Sequence, residues 1–463
     1  MREPGDVLLV ACYELGHQPL ALAWPAAFLE RAGYRPALMD TSVEPVDAQK
    51  LARAKVVAVS VPMHTALRLG LEVAARARAV NPGAHVCFFG LYATLNAEFL
   101  FAHGVDSVIG GEAEAPLLGL IDALERGDPG PRPGVARPGQ AAAPYLKRLD
   151  FPVPSRAGLP STKKYAHLER DGRMELAAYV EASRGCLHRC RHCPIPPVYG
   201  GRFFAVPREV VLADARQQIE AGARHVTFGD PDFLNGPTHA LAVARELHAA
   251  WPDVTFDFTA KIEHLLRHRA HLPALREAGG LFVVSAAESL SDTVLAHLDK
   301  SHTRADILTA LAATRAAGIT LRPTWVAFTP WTTLDDHRAW LDFLAAEGLI
   351  DHVDPVQYGL RLLVPPGSLL LETEALRPHL GPLEQTTLSY RWTHPDQRMD
   401  RLQAETATAV AQMIEAGAEA PAVFDRVRTL AAAAAGAEAP ASVADGMGKG
   451  RTRPPRLSEA WFC

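Results

Sequence analysis

Cys186, Cys190 and Cys193 stand in the run Ser183-Arg184-Gly185-Cys186-Leu187-His188-Arg189-Cys190-Arg191-His192-Cys193-Pro194, a C-x3-C-x2-C spacing that crowds half of the chain's six cysteines into eight positions. Three thiolates this close can hold three irons of a cubane iron–sulfur cluster and leave the fourth without a protein ligand. That iron is open to a chelating small molecule. A structural zinc site with His188 or His192 as fourth ligand is the competing reading, and buried thiols or a disulfide framework are plainer ones. The spacing is unlike the paired C-x2-C half-sites of zinc ribbons, and no second pair follows downstream. The cluster is therefore the expectation for these three residues.

The cysteine loop follows an apolar run, Leu176 to Val180, that reads as a strand. From there the chain alternates: strands are expected at 176–182, 224–228, 254–260, 281–286, 320–328 and 356–364, with helices at 207–221, 237–250, 264–277, 302–317 and 333–347. Six strands joined by right-handed helical crossovers fit a partial (β/α)6 barrel. Upstream, Val7 to Cys12, Pro36 to Met39, Val56 to Val61, His85 to Phe89 and Ser107 to Ile109 alternate with helical stretches. This is the α/β pattern of a doubly wound parallel sheet. The expected division is a doubly wound domain over 1–125, a linker over 126–175, the barrel over 176–400, a helical extension over 401–430, and a flexible tail over 431–463 that ends in Cys463.

Composition narrows the class. The 463 residues are 48% hydrophobic and 21% charged, an ordinary globular balance. Lys and Arg number 47 against 52 Asp and Glu, a formal charge of −5, which offers no basic field for nucleic acid. No apolar run approaches the roughly 20 residues of a membrane span. Sparse cysteine suits a reducing, cytoplasmic setting.

Parallel barrels place reacting groups at the carboxyl ends of their strands. The second such end reads Thr227-Phe228-Gly229-Asp230-Pro231-Asp232, the third Thr259-Ala260-Lys261-Ile262-Glu263-His264, and the fourth Val284-Ser285-Ala286-Ala287-Glu288-Ser289. In the sixth, Gln357, Tyr358 and Arg361 interrupt an apolar stretch. Tyr358 and Arg361 are catalytic candidates there. Arg361 can clamp a substrate carboxylate bidentately or lie in a buried ion pair.

The cysteine loop after a first strand closely resembles that of the radical S-adenosylmethionine (SAM) enzymes. The resemblance implies a [4Fe-4S] cluster whose fourth iron is chelated by SAM, cleavage of SAM to a 5′-deoxyadenosyl radical, and an electron donor such as flavodoxin or ferredoxin. It also implies SAM contacts from the strand ends, at Gly229, Asp230, Asp232, Lys261, Glu263, Ser285 and Glu288. The family's usual Gly-Gly-Glu is replaced by Gly229-Asp230-Pro231-Asp232, so Asp230 either bonds SAM or shapes the turn. A doubly wound domain ahead of such a barrel is similar to the cobalamin-dependent subclass, in layout and in Gly90 and Gly110-Gly111-Glu112. In that subclass such glycines let the backbone approach the cofactor. The Asp-x-His-x-x-Gly element that coordinates cobalt elsewhere is absent; Glu14-Leu15-Gly16-His17 takes its place. The function implied is radical modification of a small molecule, with cobalamin-dependent methyl transfer as one form. A non-catalytic protein using the cysteines to bind zinc or another cofactor is the alternative.

The runs Glu181-Ala182-Ser183-Arg184-Gly185-Cys186, Phe228-Gly229-Asp230-Pro231-Asp232-Phe233-Leu234-Asn235-Gly236 and Lys261-Ile262-Glu263-His264 together resemble a narrower group, the CUAEP/CCAEP-tail radical SAM (seleno)proteins. This chain stops at Trp461-Phe462-Cys463, where that group would continue with Sec or Cys. The resemblance makes Cys463 a redox-active candidate.

Overall fold

The computed structural model describes residues 1–446 and 451–459. Cys463, with Trp461 and Phe462, lies outside the described residues. The amino-terminal sheet is built from β1 (Val7–Ala11), β2 (Ala37–Asp40), β3 (Val56–Ser60), β4 (His85–Phe89) and β5 (Ser107–Ile109). Their order is β2-β1-β3-β4-β5, all parallel, with a short antiparallel β6 (Val135–Ala136) at the edge. β1 and β3 are buried at every position, as a sheet covered on both faces requires. The order reverses beside β1, so the ends of β1 and β3 flank the point where such folds bind ligands.

The second sheet runs β14-β13-β12-β11-β8-β7-β17. Its parallel staves are β8 (Arg173–Val180), β11 (His225–Phe228), β12 (Thr255–Thr259), β13 (Gly280–Glu288) and β14 (Thr320–Trp325). β7 (His167–Arg170) pairs antiparallel with β8. A ribbon of β9 (Ser183–Gly185) and β10 (Phe203–Ala205) carries the chain into and out of the cysteine loop. A hairpin, β15 (Leu380–Glu384) and β16 (Ser389–Trp392), precedes two packed helices, Gln397–Glu415 and Ala420–Ala434. The curled half-barrel has helices on its outer face, and among the described residues no helix is long and apolar enough to cross a membrane.

Three expectations need correction. The sixth stave expected at 356–364 is a 3-10 turn, Pro355–Gly359, followed by one bridge between Phe328 and Arg361. The apolar residues there are consumed by packing: Tyr358 sits between Trp340 and Phe424, with ring centroids 5.7 Å from each. The 126–175 segment is no free linker, because Phe151 packs on Trp24 and Phe28 and Arg156 is buried on Asp214. The tail from 431 begins instead as the last turn of helix Ala420–Ala434, since Ala is the strongest helix former. Farther on, Arg451 pairs with Asp351 and Glu419, and β17 (Arg456–Leu457) adds to β7. There Leu457 packs against the buried Leu168, Leu281 and Phe282.

Candidate active site at the domain junction

The carboxyl ends of the two sheets face one another across a cavity of about 960 Å³. One wall belongs to the amino-terminal domain: Glu14 after β1, Ser60 at the end of β3 and His64 beyond it, Gly90 after β4, and Gly111 and Glu114 after β5. The opposite wall carries Tyr179, Arg184, His192, Cys193 and Gly229. A third is one face of helix Gln397–Glu415, with Gln403, Ala407, Val410, Ala411 and Ile414 spaced three or four residues apart, the period that aligns side chains on a helix.

The cysteine loop is held on both sides. Arg184, within β9 and four residues past the end of β8, donates to Glu181, Glu112 and Glu114 at 2.9, 3.4 and 2.6 Å. The last two are fully or almost fully buried on the other domain, and Tyr199 Oη donates to Glu112 at 2.7 Å. Burial pushes the Glu112 carboxyl up to about 7 despite the Arg184 charge. At its base, Asp230 accepts from Ala182 N and Ser183 Oγ at 2.8 and 2.6 Å. Burial pushes its carboxyl up to about 7, against those hydrogen bonds. Asp230 therefore shapes the entry to the loop, the turn-forming role that its position left open.

Burial raises the Cys186 thiol to about 11 and the Cys193 thiol to about 12, and the charge of Cys190 reinforces both. Three mutually repelling sulfurs, buried or half-buried in one loop, need a cation to hold them as thiolates, which is what the iron of a cubane cluster provides. Close behind them lies Lys300, buried, whose ammonium is 3.1 Å from Glu288 Oε1; His192 Nε2 is 3.0 Å from the same oxygen. The opposing charges of Lys300 and His192 outweigh burial and hold the Glu288 carboxyl far below the usual range.

The remaining candidates divide. Gly229, Gly90, Gly111 and Arg361 line the cavity. A Cβ at Gly229 would lie 2.3 Å from the Tyr179 ring, and one at Gly111, where φ is +77°, would lie 2.4 Å from Tyr145 O. At Gly110 a Cβ would meet Thr94 at 2.4 Å, so this glycine serves close packing inside its own domain. Arg361 stacks at 3.5 Å on Trp392 and donates to Asp400 at 2.8 Å, so its guanidinium is already committed to the protein.

Ser285 and Tyr358 are corrected by their positions. On β13 the partly open residues are Val284 and Ala286, and Ser285 points the opposite way, fully buried, because side chains alternate along a strand. Tyr358 is fully buried among aromatic rings away from the cavity. Glu288 is turned onto Lys300 and His192. Asp232, Lys261 and Glu263 gather with His188 and His264 instead of lining the cavity. His17 also turns away, stacking on Tyr179 with centroids 4.3 Å apart and approaching Glu459 at 3.4 Å. Arg184, Glu114, Lys300 and Tyr199 were not anticipated. Their partners lie up to 87 residues away in the chain, and no local pattern marks such pairs.

Residues 180–343 match the Radical SAM superfamily and residues 7–121 the B12 binding domain. Among characterised proteins, the hopanoid C-3 methylase of Methylococcus capsulatus is 26% identical over 324 residues, 68% of this chain and 62% of that protein. The tRNA-2-methylthio-N(6)-dimethylallyladenosine synthase of Chlorobium luteolum is 29% identical over 200 residues, 38% of this chain and 40% of that one. The chain thus spans less than two thirds of the length of these relatives. Among solved structures, the cobalamin-dependent S-adenosylmethionine radical enzyme OxsB, with aqua-cobalamin and S-adenosylmethionine bound, superposes with a TM-score of 0.70 at 14% identity over 88% of this chain and 67% of its own. The radical S-adenosylmethionine methyltransferase TsrM from Kitasatospora setae gives 0.61 at 20% identity over 74% and 71%. These two establish the fold. The cofactors that go with this pair of domains are a [4Fe-4S] cluster, S-adenosylmethionine and cobalamin, and the thiol triad and the cavity at the strand ends fit them.

Proposed function

We propose that this radical SAM enzyme, built with a B12-binding domain, transfers a methyl group to an unreactive carbon of a small molecule seated in the junction cavity. One observation carries the reading: a single space touches Cys193 and Gly229 on the barrel side and Ser60, Gly90 and Gly111 on the other. When bound, the cluster with SAM supplies one-electron chemistry and cobalamin a methyl carrier. The chain's own residues position these groups. Cys186, Cys190 and Cys193 would hold the cluster, Gly229 and Pro231 border the space beside it, and Ser60, Gly90 and Gly111 face it from the B12-binding domain. No histidine of the loop after β1 points into the cavity, since His17 is engaged by Tyr179 and Glu459. Val326, Val356, Leu362, Val410 and Ile414 give the substrate end apolar walls, which exclude water from reactive intermediates.

The name of the Methylococcus capsulatus relative, a methylase, supports this reaction class. The motifs shared with the CUAEP/CCAEP-tail group support the narrower membership, with Cys463 as a redox participant. An external one-electron donor such as flavodoxin or ferredoxin and a cytoplasmic setting complete the proposal. The test is anaerobic reconstitution with iron, sulfide and hydroxocobalamin, followed by SAM and a reductant. Formation of 5′-deoxyadenosine and S-adenosylhomocysteine is expected. A protein that binds zinc tightly and yields neither product is the non-catalytic alternative.

A further inference from the structure

His188 lies between the first two cysteines of the loop, yet its ring turns away from the cavity toward Asp232 at the end of β11 and His264 in the helical turn after β12. The three approach one another through single atoms. Asp232 Oδ2 is 2.9 Å from His264 Nδ1 and 3.5 Å from His188 Nε2, and the two nitrogens are 3.4 Å apart. All three side chains are largely buried, at 12, 2 and 3% exposure for His188, Asp232 and His264.

Without an ion, three nitrogens crowd onto the single oxygen Asp232 Oδ2. Lys261 Nζ sits 3.2 Å from His188 Nδ1; if it donates there, His188 carries its hydrogen on Nε2. His264 must carry a hydrogen on Nδ1 to bond Asp232 Oδ2. Two N–H groups then converge on one another and on an oxygen that already accepts from Lys261 N at 3.3 Å. With the His188 hydrogen on Nδ1 instead, the Lys261 ammonium keeps Glu263 Oε2 as its partner at 3.5 Å.

We propose that His188 Nε2, Asp232 Oδ2 and His264 Nδ1 bind a first-row divalent metal ion, zinc or ferrous iron, separate from the cluster. An ion at their centre takes a lone pair from each of the three atoms, which lie together in one buried group. Separations of 2.9 to 3.5 Å are those of ligands about 2.0–2.2 Å from a shared ion. Two imidazoles and a carboxylate suit zinc or iron and leave positions for water. The freed Nδ1–H of His188 faces Glu263 Oε2 at 3.6 Å, the outer carboxylate that commonly orients a metal-bound histidine. The ion ties the cysteine loop to the ends of β11 and β12, so it positions the cluster.

The test uses the full-length Cys186→Ala/Cys190→Ala/Cys193→Ala variant, in which no thiolate of the loop competes. Anaerobic Co²⁺ should bind with about one equivalent, show visible ligand-field bands and be displaced by zinc. Adding His264→Ala should lower retained metal at least tenfold, whereas His268→Ala/His271→Ala should not. No retained metal in the parent variant, retention unchanged by His264→Ala, or loss on changing His268 and His271 overturns the proposal. Reconstituted wild-type protein reads it independently of that variant's folding: about five metal ions per chain are expected, falling to about four in His264→Ala. About four in both overturns it.

Discussion

Arg184 Nη1 donates to Glu114 Oε1 at 2.6 Å across the boundary between the two domains, two residues before the first cysteine of the loop. The same guanidinium donates through Nε to Glu181 at 2.9 Å and lies 5.0 Å over the Phe151 ring. One side chain thus fixes the cysteine loop against the domain that faces it, and the width of the cavity depends on that contact.

Replacing Arg184 with Ala leaves the buried Glu112 and Glu114 and the half-buried Glu181 without their shared countercharge. Removing one partner of a buried pair typically costs about 3–5 kcal/mol, so a large drop in the denaturation midpoint is expected. Arg184→Lys keeps the charge but loses the planar fork, and should fall between the two. Chemical denaturation of the three proteins checks the order. A midpoint for Arg184→Ala equal to wild type would show that the contact does not couple the domains.

Cys190→Ala should lose the cluster absorbance after reconstitution and form no 5′-deoxyadenosine, because two thiolates do not retain an open-iron cubane. Iron content and product analysis by mass spectrometry decide it. Undiminished 5′-deoxyadenosine in this variant would remove Cys190 from the ligand set.

Asp230 predicts a pH dependence. Its folded value, near 7 through burial, lies above the unfolded value of about 3.9, so the native state holds the extra proton between them. Its contribution to stability is full below the unfolded value, declines as pH rises toward 7, and levels off above. Asp230→Asn does not ionise, so stability should change less between pH 5 and 8 than in wild type. Melting curves across that range give the comparison. An unchanged slope would show that Asp230 is already ionised at pH 5.

The doubly wound class and five barrel staves were legible in the sequence because apolar runs such as Val56 to Val61 and His85 to Phe89 alternate with helical stretches, whereas the strand order was not. The spacing of Cys186, Cys190 and Cys193 and their place after a strand marked them as cluster candidates. Side-chain direction was harder. Ser285 is fully buried between the partly open Val284 and Ala286, while Glu288, beyond an irregularity in the pairing of β13 with β14 and at φ +64°, turns onto Lys300 and His192. Tyr358 was misplaced because an apolar run broken by polar residues suits a buried turn under two helices as well as a barrel stave. The His188, Asp232 and His264 grouping joins residues up to 76 apart, which no local pattern connects.

The seating of residues 451–459 also departs from a mobile tail. Arg451 forms a two-point pair with Asp351 at 2.7 and 2.8 Å, and Leu457 joins a small apolar cluster with Leu168, Leu281 and Phe282. A chain ending at residue 450 should melt several degrees lower, since losing about 1–2 kcal/mol shifts the midpoint of a domain this size by that amount. Limited proteolysis should spare 451–459 in the full chain. Rapid cleavage there would contradict the docked strand.

Cobalt stoichiometry after reconstitution tests the central claim most directly, namely that the B12-binding domain and the radical SAM domain enclose one working cavity. Protein loaded anaerobically with hydroxocobalamin and desalted should retain about one cobalt per chain. A Ser60→Trp variant, which fills the cavity from the end of β3, should lose the cobalt while keeping its iron. Retention of cobalt by neither protein, or equally by both, would contradict cobalamin binding in the junction cavity.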